Sequence, residues 1–381
     1  MSVTSEQDAS PPDYYRSLDG LRGLAALLVA VGHAGYFGWV RLVVGAATSG
    51  VILFFFLSGF LMAHHYLPDA SRGSSRSGTV RYWLTFLVRR FVRVYPPFLF
   101  APFVGYLLLR PRLPPDFERR LPIEGLSVTH EFARIATFGG DLGIYWTIPV
   151  ELFFYLVYPF VAELCVRSGR RATTLFMLSA SLMFLNHFPR GIGGMSWEIP
   201  LPAMWTGYLS MFVAGAFTAV VANDRSPARL QPRLPWNTLA LGGFVSFAIV
   251  VALFSRCRPT QAFLWQFEWL FAALFFVLFL GLVRSNGTIA RILSSPLAVT
   301  IGRTSYSLYL IHIVAYYVVA SRFPAALHGM PMAIVVLCVF CFGYFFLFER
   351  PFVRWSKRIS FSAPLMTPGG DGATPPAPQP S

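Results

Sequence analysis

Arg22 and His33 stand eleven positions apart in an otherwise apolar stretch, LDGLRGLAALLVAVGH at residues 18–33. On an α-helix, eleven residues at 100° each return to within about 20° of the starting direction and advance about 16 Å. Both side chains therefore point the same way, one at the mouth of the segment and one well inside it, with Ala25, Ala26 and Val29 on the stripe between them. An ionisable group at such depth in an apolar helix is costly, and it marks a cavity, a substrate path or a proton path. The plain alternative is an arginine snorkelling to the interface and a packed, hydrogen-bonded histidine. An imidazole, with its ordinary pKa near 6.5, is the side chain best suited to take a proton from a hydroxyl. A guanidinium fork is the one best suited to grip phosphate or carboxylate.

Further residues of the same kinds recur along the chain. Arg90 and Arg93 lie just before the apolar run VYPPFLFAPFVGYLLL, and Glu151 lies inside YWTIPVELFFYLVYPFVAEL. A carboxylate there either serves chemistry, by orienting the imidazole or contacting an acceptor, or pairs with a buried arginine. Ser305, Tyr309 and His312 fall at i, i+4 and i+7, on one helix face, where they line a cavity or make a polar seam between helices. His64 and His65 are adjacent and diverge. Neither H-E-x-x-H nor paired C-x-x-C spacing occurs, so no metal site and no bound cofactor is expected. The G-x-S-x-G elbow and the Walker loop are missing too. Cys338 and Cys341 read C-x-x-C inside an all-apolar stretch and are taken as small packing residues.

These residues must be positioned by membrane helices. The 381 residues are 55% hydrophobic, 17% aromatic and only 13% charged, with a mean hydropathy of +0.56, which indicates a polytopic membrane protein. The net charge of +14 is spread over short loops between apolar runs and forms no nucleic-acid-binding domain. The expected fold is an all-α transmembrane bundle of about ten helices, near residues 16–36, 44–66, 94–109, 145–164, 172–188, 204–222, 236–255, 264–283, 297–320 and 331–349. Gly50, Ser58 and Gly59 give the second helix flat spots for close packing. With the N-terminus inside, most of the 31 basic residues fall on the cytoplasmic side, so both termini are expected in the cytoplasm of a cell in whose plasma (inner) membrane the chain sits. Residues 1–15 are polar and lack the features of a signal peptide. Residues 359–381 are rich in Pro and Gly, and both ends are expected to be disordered around a transmembrane domain at 16–358.

Four blocks carry more than composition: LDGLRGLAALLVAVGH at 18–33, GVILFFFLSGFLM at 50–62, YWTIPVELFFYLVYP at 145–159 and IGRTSYSLYLIHI at 301–313. In these blocks, their order and the layout of about ten helices, residues 16–356 resemble the acyltransferase 3 family of membrane-bound O-acyltransferases. The resemblance implies transfer of an acyl group, most often acetyl from cytoplasmic acetyl-CoA, to a hydroxyl of a glycan or other acceptor across the membrane. The family's Arg-X10-His pair maps onto Arg22 and His33, its R-x-x-R onto Arg90 and Arg93, and its helix carboxylate onto Glu151. Where relatives often carry polar residues this chain has Ile52, Leu152 and Phe153, which should make the pocket drier. Some relatives append an extracytoplasmic hydrolase-like domain, and the bundle here is expected to complete the transfer without one.

The chemistry asks for the same parts. Moving an acyl group from thioester to alcohol needs a base, an anchor for the CoA phosphates and a passage that excludes water. His33 is expected as the general base, with Arg22 and Glu151 beside it in catalysis and Arg22, Arg90 and Arg93 on the CoA phosphates. The pantetheine arm is expected to run up the small-residue stripe of the first helix. The loops 110–144, 187–203 and 321–330, with Trp146, Trp197 and Trp205 nearby, are expected to frame an acceptor mouth on the other face. The rival reading is a proton-coupled transporter or flippase, since buried Arg, Glu and His also describe carriers. Matching Gly/Pro-interrupted halves, the mark of many carriers, are not found.

Overall fold

A computed structural model of the chain describes residues 15–40, 44–70, 76–109, 143–187, 203–223, 235–257, 267–323 and 329–359. The two tails, most of the three loops assigned to an acceptor mouth, and Trp197 lie outside the described residues. The described residues form thirteen α-helices: α1 Arg16–Ala34, α2 Val44–Ala70, α3 Arg76–Leu109, α4 Thr147–Ser168, α5 Arg171–His187, α6 Ala203–Asn223, α7 Trp236–Cys257, α8 Glu268–Arg284, α9 Thr288–Leu293, α10 Pro296–Arg303, α11 Ser305–Arg322, α12 Met330–Tyr344 and α13 Arg350–Arg358. Single 3-10 turns at Gly35–Phe37 and Gly143–Trp146 end α1 and lead into α4, and a π-helical turn, Phe345–Glu349, joins α12 to α13.

The architecture is a polytopic helical bundle, and the described residues of each expected span are mostly helical. Five segments are long and apolar enough to cross a bilayer: Arg16–Phe37, Gly45–Leu67, Gly143–Ser168, Trp236–Ser255 and Met330–Arg358. The ninth expected span is broken at Thr304, where the chain leaves the helical path between α10 and α11. The third is longer than expected: α3 has 34 residues, about 51 Å at 1.5 Å each. It therefore reaches well past a hydrocarbon core of about 30 Å, and Arg81, Arg89, Arg90 and Arg93 lie along it before its prolines. Pro96, Pro97 and Pro102 sit inside it and remove backbone donors. Near them, the hydroxyl of Tyr306 donates to the Val94 carbonyl at 2.7 Å and that of Tyr344 donates to the Pro97 carbonyl.

In lipid, apolar surface is not driven together by water, so helices associate through close van der Waals contact, which small residues permit. The apolar window of Gly45–Leu67 is 78% buried, against 28% for Trp236–Ser255 and for Met330–Arg358, which makes α2 the central helix and α7 and α12 peripheral. The contact of α2 with α6 rests on two glycines facing opposite ways. A Cβ on Gly59 would overlap the Phe212 carbonyl oxygen, and one on Gly215 would overlap the Phe56 carbonyl oxygen. Around that contact Phe55, Phe56 and Phe60 interlock with Tyr208, Phe212, Phe275 and Phe279 at centroid separations of 4.9–5.4 Å.

A Gly59→Ala substitution should therefore lower the thermal midpoint of the detergent-purified protein, because a backbone oxygen cannot rotate away and the helices must separate. Overpacking of this kind costs about 1–3 kcal/mol. Gly242→Ala, where an added Cβ meets nothing within 4 Å, should leave the midpoint unchanged or slightly higher. Equal midpoints for the two variants would show that the α2–α6 contact is not tight.

Candidate active site

Glycines also bring the first cation of the site into place. A Cβ on Gly20 would overlap the Leu293 carbonyl oxygen and one on Gly302 would overlap that of Asp19, while Gly23 lies against the Gly302 nitrogen. Only bare backbone lets α10 approach α1 this closely. The approach sets Arg303, at the end of α10, beside the first turns of α1: Asp19 lies 3.7 Å from Arg22 and 4.0 Å from Arg303.

These two arginines open onto a cavity with about 920 Å³ of empty space, its mouth included. Arg90 and Arg93 from α3 face the same space, as do Glu151 and Tyr155 from α4 and Glu349 from the π-helical turn. The four cations expected or found here thus converge from three helices that are far apart in sequence. Arg90 is held by ring faces: its guanidinium carbon lies 5.3 Å from the Tyr66 centroid, 5.7 Å from that of Tyr155 and 5.8 Å from that of Phe86. It also donates to the Tyr66 hydroxyl at 3.4 Å. Such contacts hold a planar cation in one orientation without neutralising it, each for about 0.5–2 kcal/mol. Arg93 is half-buried one turn further on and acts electrostatically on Glu349, as does Arg22.

The two carboxylates are separately satisfied. Glu151 accepts from the Tyr155 hydroxyl. Glu349, only 4% exposed, accepts from both the backbone N–H and the hydroxyl of Ser307. Neither touches an imidazole in the described structure, so Glu151 does not orient His33; it lines the cavity, acts electrostatically on Arg90 and is bonded by a tyrosine of its own helix. Glu349 is a cavity residue that no sequence motif marks. Its signal was a lone acid at the end of an apolar run, and the π-helical turn that presents it is a backbone form common at functional sites.

His33 does not line the arginine cavity. It meets His312 instead: His312 Nε2 lies 3.1 Å from His33 Nδ1, with ring centroids 4.9 Å apart. His33 Nδ1 also lies 2.9 Å from the Val29 carbonyl oxygen, and His312 Nδ1 lies 2.7 Å from that of Tyr309. Both readings of the Ser305, Tyr309 and His312 face hold. Ser305 and Tyr309 line the cavity, and His312, with no exposed surface, makes the polar seam to α1. Four residues on, Tyr316 donates to the Ala30 carbonyl at 3.0 Å and ties the same two helices again.

Tyr309 is the link between cavity and histidines. Its ring lines the cavity, its hydroxyl donates to the Ile144 carbonyl and accepts from Thr147 at 2.6 Å, and its own carbonyl holds His312. The path expected along the small-residue stripe of α1 is not there. Ala25, Ala26 and Val29 are at most 1% exposed, and α2 packs onto them so closely that a Cβ on Gly50 would lie 2.6 Å from the Ala25 carbonyl oxygen and 2.9 Å from Val29 Cγ2. Small residues that leave room in a sequence are here the ones that let a neighbour in. The space runs instead between α2, α4 and α11, past Phe54, Thr147 and Tyr309. Its apolar wall comes from Val51, Phe54 and Phe55, while Ile52, Leu152 and Phe153 lie off it. Trp146, half-buried, packs on Tyr208 at 4.7 Å and near Phe55 at 6.3 Å. The side chain of Trp205 lies outside the described residues.

His64 and His65 do not line the cavity, though Arg90 and Arg22 act electrostatically on His65. Their rings are perpendicular at 89°, His64 bonding Asn223 and His65 bonding the Leu61 carbonyl. Cys341 is buried and donates to the Thr304 carbonyl at 3.7 Å, while Cys338 is exposed and both are free.

Comparison with known proteins places this arrangement. The peptidoglycan O-acetyltransferase OatA of Listeria monocytogenes is 23% identical over 314 residues, which cover 78% of this chain and 49% of that protein. The putative peptidoglycan O-acetyltransferase YrhL of Bacillus subtilis is 24% identical over 387 residues, covering 92% of this chain and 56% of that protein. Protein 2 in the picA locus of Rhizobium radiobacter is 39% identical over 93 residues, 24% of this chain and 44% of that protein. The chain spans about half the length of the curated relatives it matches. No solved structure matches it. The acyltransferase domain of the acyltransferase 3 family matches residues 15–350, a range that holds the four arginines, both carboxylates and the paired histidines, and the chain belongs to that family.

Proposed function

We propose that the chain is an integral membrane O-acetyltransferase that moves an acetyl group from cytoplasmic acetyl-CoA to a hydroxyl of a glycan or glycosylated metabolite, with His33 as the general base. The observation that carries this reading is the His33–His312 pair standing behind a cavity that holds four arginines, with Tyr309 between the two. Two relatives are named as peptidoglycan O-acetyltransferases, one of them putative, which supports acetyl as the group and a glycan as the acceptor class. The excess of arginine at the Arg22 end supports a cytoplasmic position for that end and for both termini, in the plasma (inner) membrane.

In this account Arg22, Arg90, Arg93 and Arg303 bind the phosphates of the donor, and their guanidinium planes supply paired donors to each phosphate. The pantetheine arm follows the apolar wall of Val51, Phe54 and Phe55 toward Tyr309, which yields to let the thioester reach His33. His33 takes the proton of the acceptor hydroxyl as that oxygen attacks the thioester carbonyl. The carbon–sulfur bond then breaks, the sulfur leaves as thiolate and receives the proton from the imidazolium, and the acetyl ester and free CoA are released. The packed helices exclude water, which would otherwise hydrolyse the thioester.

Membranes containing the protein, given radiolabelled acetyl-CoA and candidate glycans, should form an alkali-labile acetyl ester on the glycan. The detergent-purified protein should also gain thermal stability with CoA, by about 2.7 kcal/mol at a concentration one hundred times its dissociation constant. A transporter or flippase of glycans would show no response to CoA and no ester, and that result would overturn the reading.

A further inference from the structure

His312 lies outside the arginine cavity, is wholly buried, and meets His33 through one nitrogen only. What it does follows from which nitrogens carry hydrogen. A backbone carbonyl oxygen can only accept, so His312 Nδ1, 2.7 Å from the Tyr309 oxygen, is the protonated nitrogen of a neutral ring. Its Nε2 then bears a lone pair and points that lone pair at His33 Nδ1, 3.1 Å away. His33 Nδ1 also faces the Val29 carbonyl oxygen at 2.9 Å. Both neighbours of His33 Nδ1 are acceptors, so that nitrogen carries the hydrogen and shares it between them. The lone pair of His33 is left on Nε2.

We infer that His312 is a positioning residue that fixes this tautomer, makes Nε2 the basic atom of His33, and stabilises the imidazolium formed when Nε2 is protonated. The inference rests on the reading of His33 as the base. Before the proton transfer the contact is an ordinary hydrogen bond between neutral rings. After it, the donor is a cation and the bond is charge-assisted, roughly twice as strong. The gain appears only as the reaction proceeds, which is what lowers a barrier. The residue acts as the orienting third group of a nucleophile or base triad, with an imidazole in the place where a carboxylate is common. In lipid this choice has a reason: a neutral partner does not bring a second buried charge into the ground state. Glu151 and Glu349, bonded to Tyr155 and Ser307, are not in that place. Tyr309 belongs to the same device, because its carbonyl sets the tautomer of His312 while its ring faces the cavity through which the donor would arrive.

The test compares variants that keep or remove the acceptor at the Nε2 position. His312→Phe fills the space without a lone pair and should lower kcat about 10–100-fold, the size of one charge-assisted hydrogen bond, with the KM for acetyl-CoA unchanged. His312→Gln, whose amide oxygen can accept from His33 Nδ1, should recover most of that loss. Tyr316→Phe removes the neighbouring tie between α11 and α1 and should lower the thermal midpoint while leaving kcat within about twofold. Equal loss of kcat in His312→Phe and His312→Gln, or a wild-type kcat in His312→Phe, would overturn the proposal. Nitrogen-15 spectra of protein labelled in its histidine side chains give a reading that does not depend on turnover. His33 should be protonated at Nδ1 and bare at Nε2 in the wild type and become a mixture in His312→Phe. Protonation of His33 at Nε2 in the wild type would overturn the proposal even with acetyl transfer intact, whereas a wild type without acetyl transfer would overturn the function and leave the tautomer to be judged by its spectrum.

Discussion

His33→Ala should lower acetyl transfer by about 10²–10⁴-fold, the range a positioned general base supplies, and leave the protein folded in the membrane. His33 is only partly buried and sits in the last turn of α1, after the close contacts at Gly20, Gly23 and Gly50 that lock this helix to α9, α10 and α2. Removing its ring should therefore leave those contacts in place. The tie from Tyr316 to Ala30 would continue to hold α11 beside α1. Binding of CoA, measured by thermal stabilisation, should be unaffected, because the arginine cavity does not include His33. A variant that turns over normally, or that loses activity only because CoA no longer binds, would remove His33 from the chemistry.

The second large effect belongs to the donor side. Arg90→Ala with Arg93→Ala should raise the KM for acetyl-CoA by at least about 100-fold, since each hydrogen bond to a charged group is worth about 1.5–3 kcal/mol, while the acceptor KM changes by less than about threefold. The two residues are not equivalent. Arg93 loses only its charge and donors, but Arg90 is also the centre of the Tyr66, Phe86 and Tyr155 rings, so Arg90→Ala should carry a stability cost as well. Arg90→Lys keeps the charge and loses the stacked plane, and should fall between the two. Arg89 offers the control: its Nε donates to the Ile359 carbonyl at 2.7 Å, away from the cavity, and Arg89→Ala should leave the acetyl-CoA KM where it was. Equal effects on donor and acceptor would place these cations elsewhere in the mechanism.

Much of this arrangement is legible before any coordinates. Bilayer thickness sets helix length, so the apolar stretches mark where helices lie, although the third helix begins eighteen residues before its apolar run and the ninth expected span breaks at Thr304. Helical periodicity puts Arg22 and His33 on one face, and the excess of basic residues at one set of helix ends brings Arg22, Arg90 and Arg93 to one side. What could not be read was how tightly neighbours approach. Ala25, Ala26 and Val29 look like a groove, yet Gly50 lets α2 fill it, because the same small side chains serve a channel and a close contact. The break at Thr304 has no proline and no glycine at the junction itself, and the π-helical turn that turns Glu349 inward is marked only by Pro351 just after it. His312 is the instructive case: its spacing from Ser305 and Tyr309 announced a polar face, but only the pairing of α11 with α1 could say that the partner is His33.

We propose that donor and acceptor reach His33 from opposite faces of the membrane, with the arginine cavity open to the cytoplasm. Inverted and right-side-out vesicles, supplied with acetyl-CoA outside and a membrane-impermeant glycan either outside or trapped within, test it directly. Inverted vesicles should form acetyl ester only on glycan trapped inside, and right-side-out vesicles should form none from acetyl-CoA added outside. Acetylation by inverted vesicles of glycan added outside, alongside the acetyl-CoA, would contradict the account and place both substrates on the cytoplasmic face.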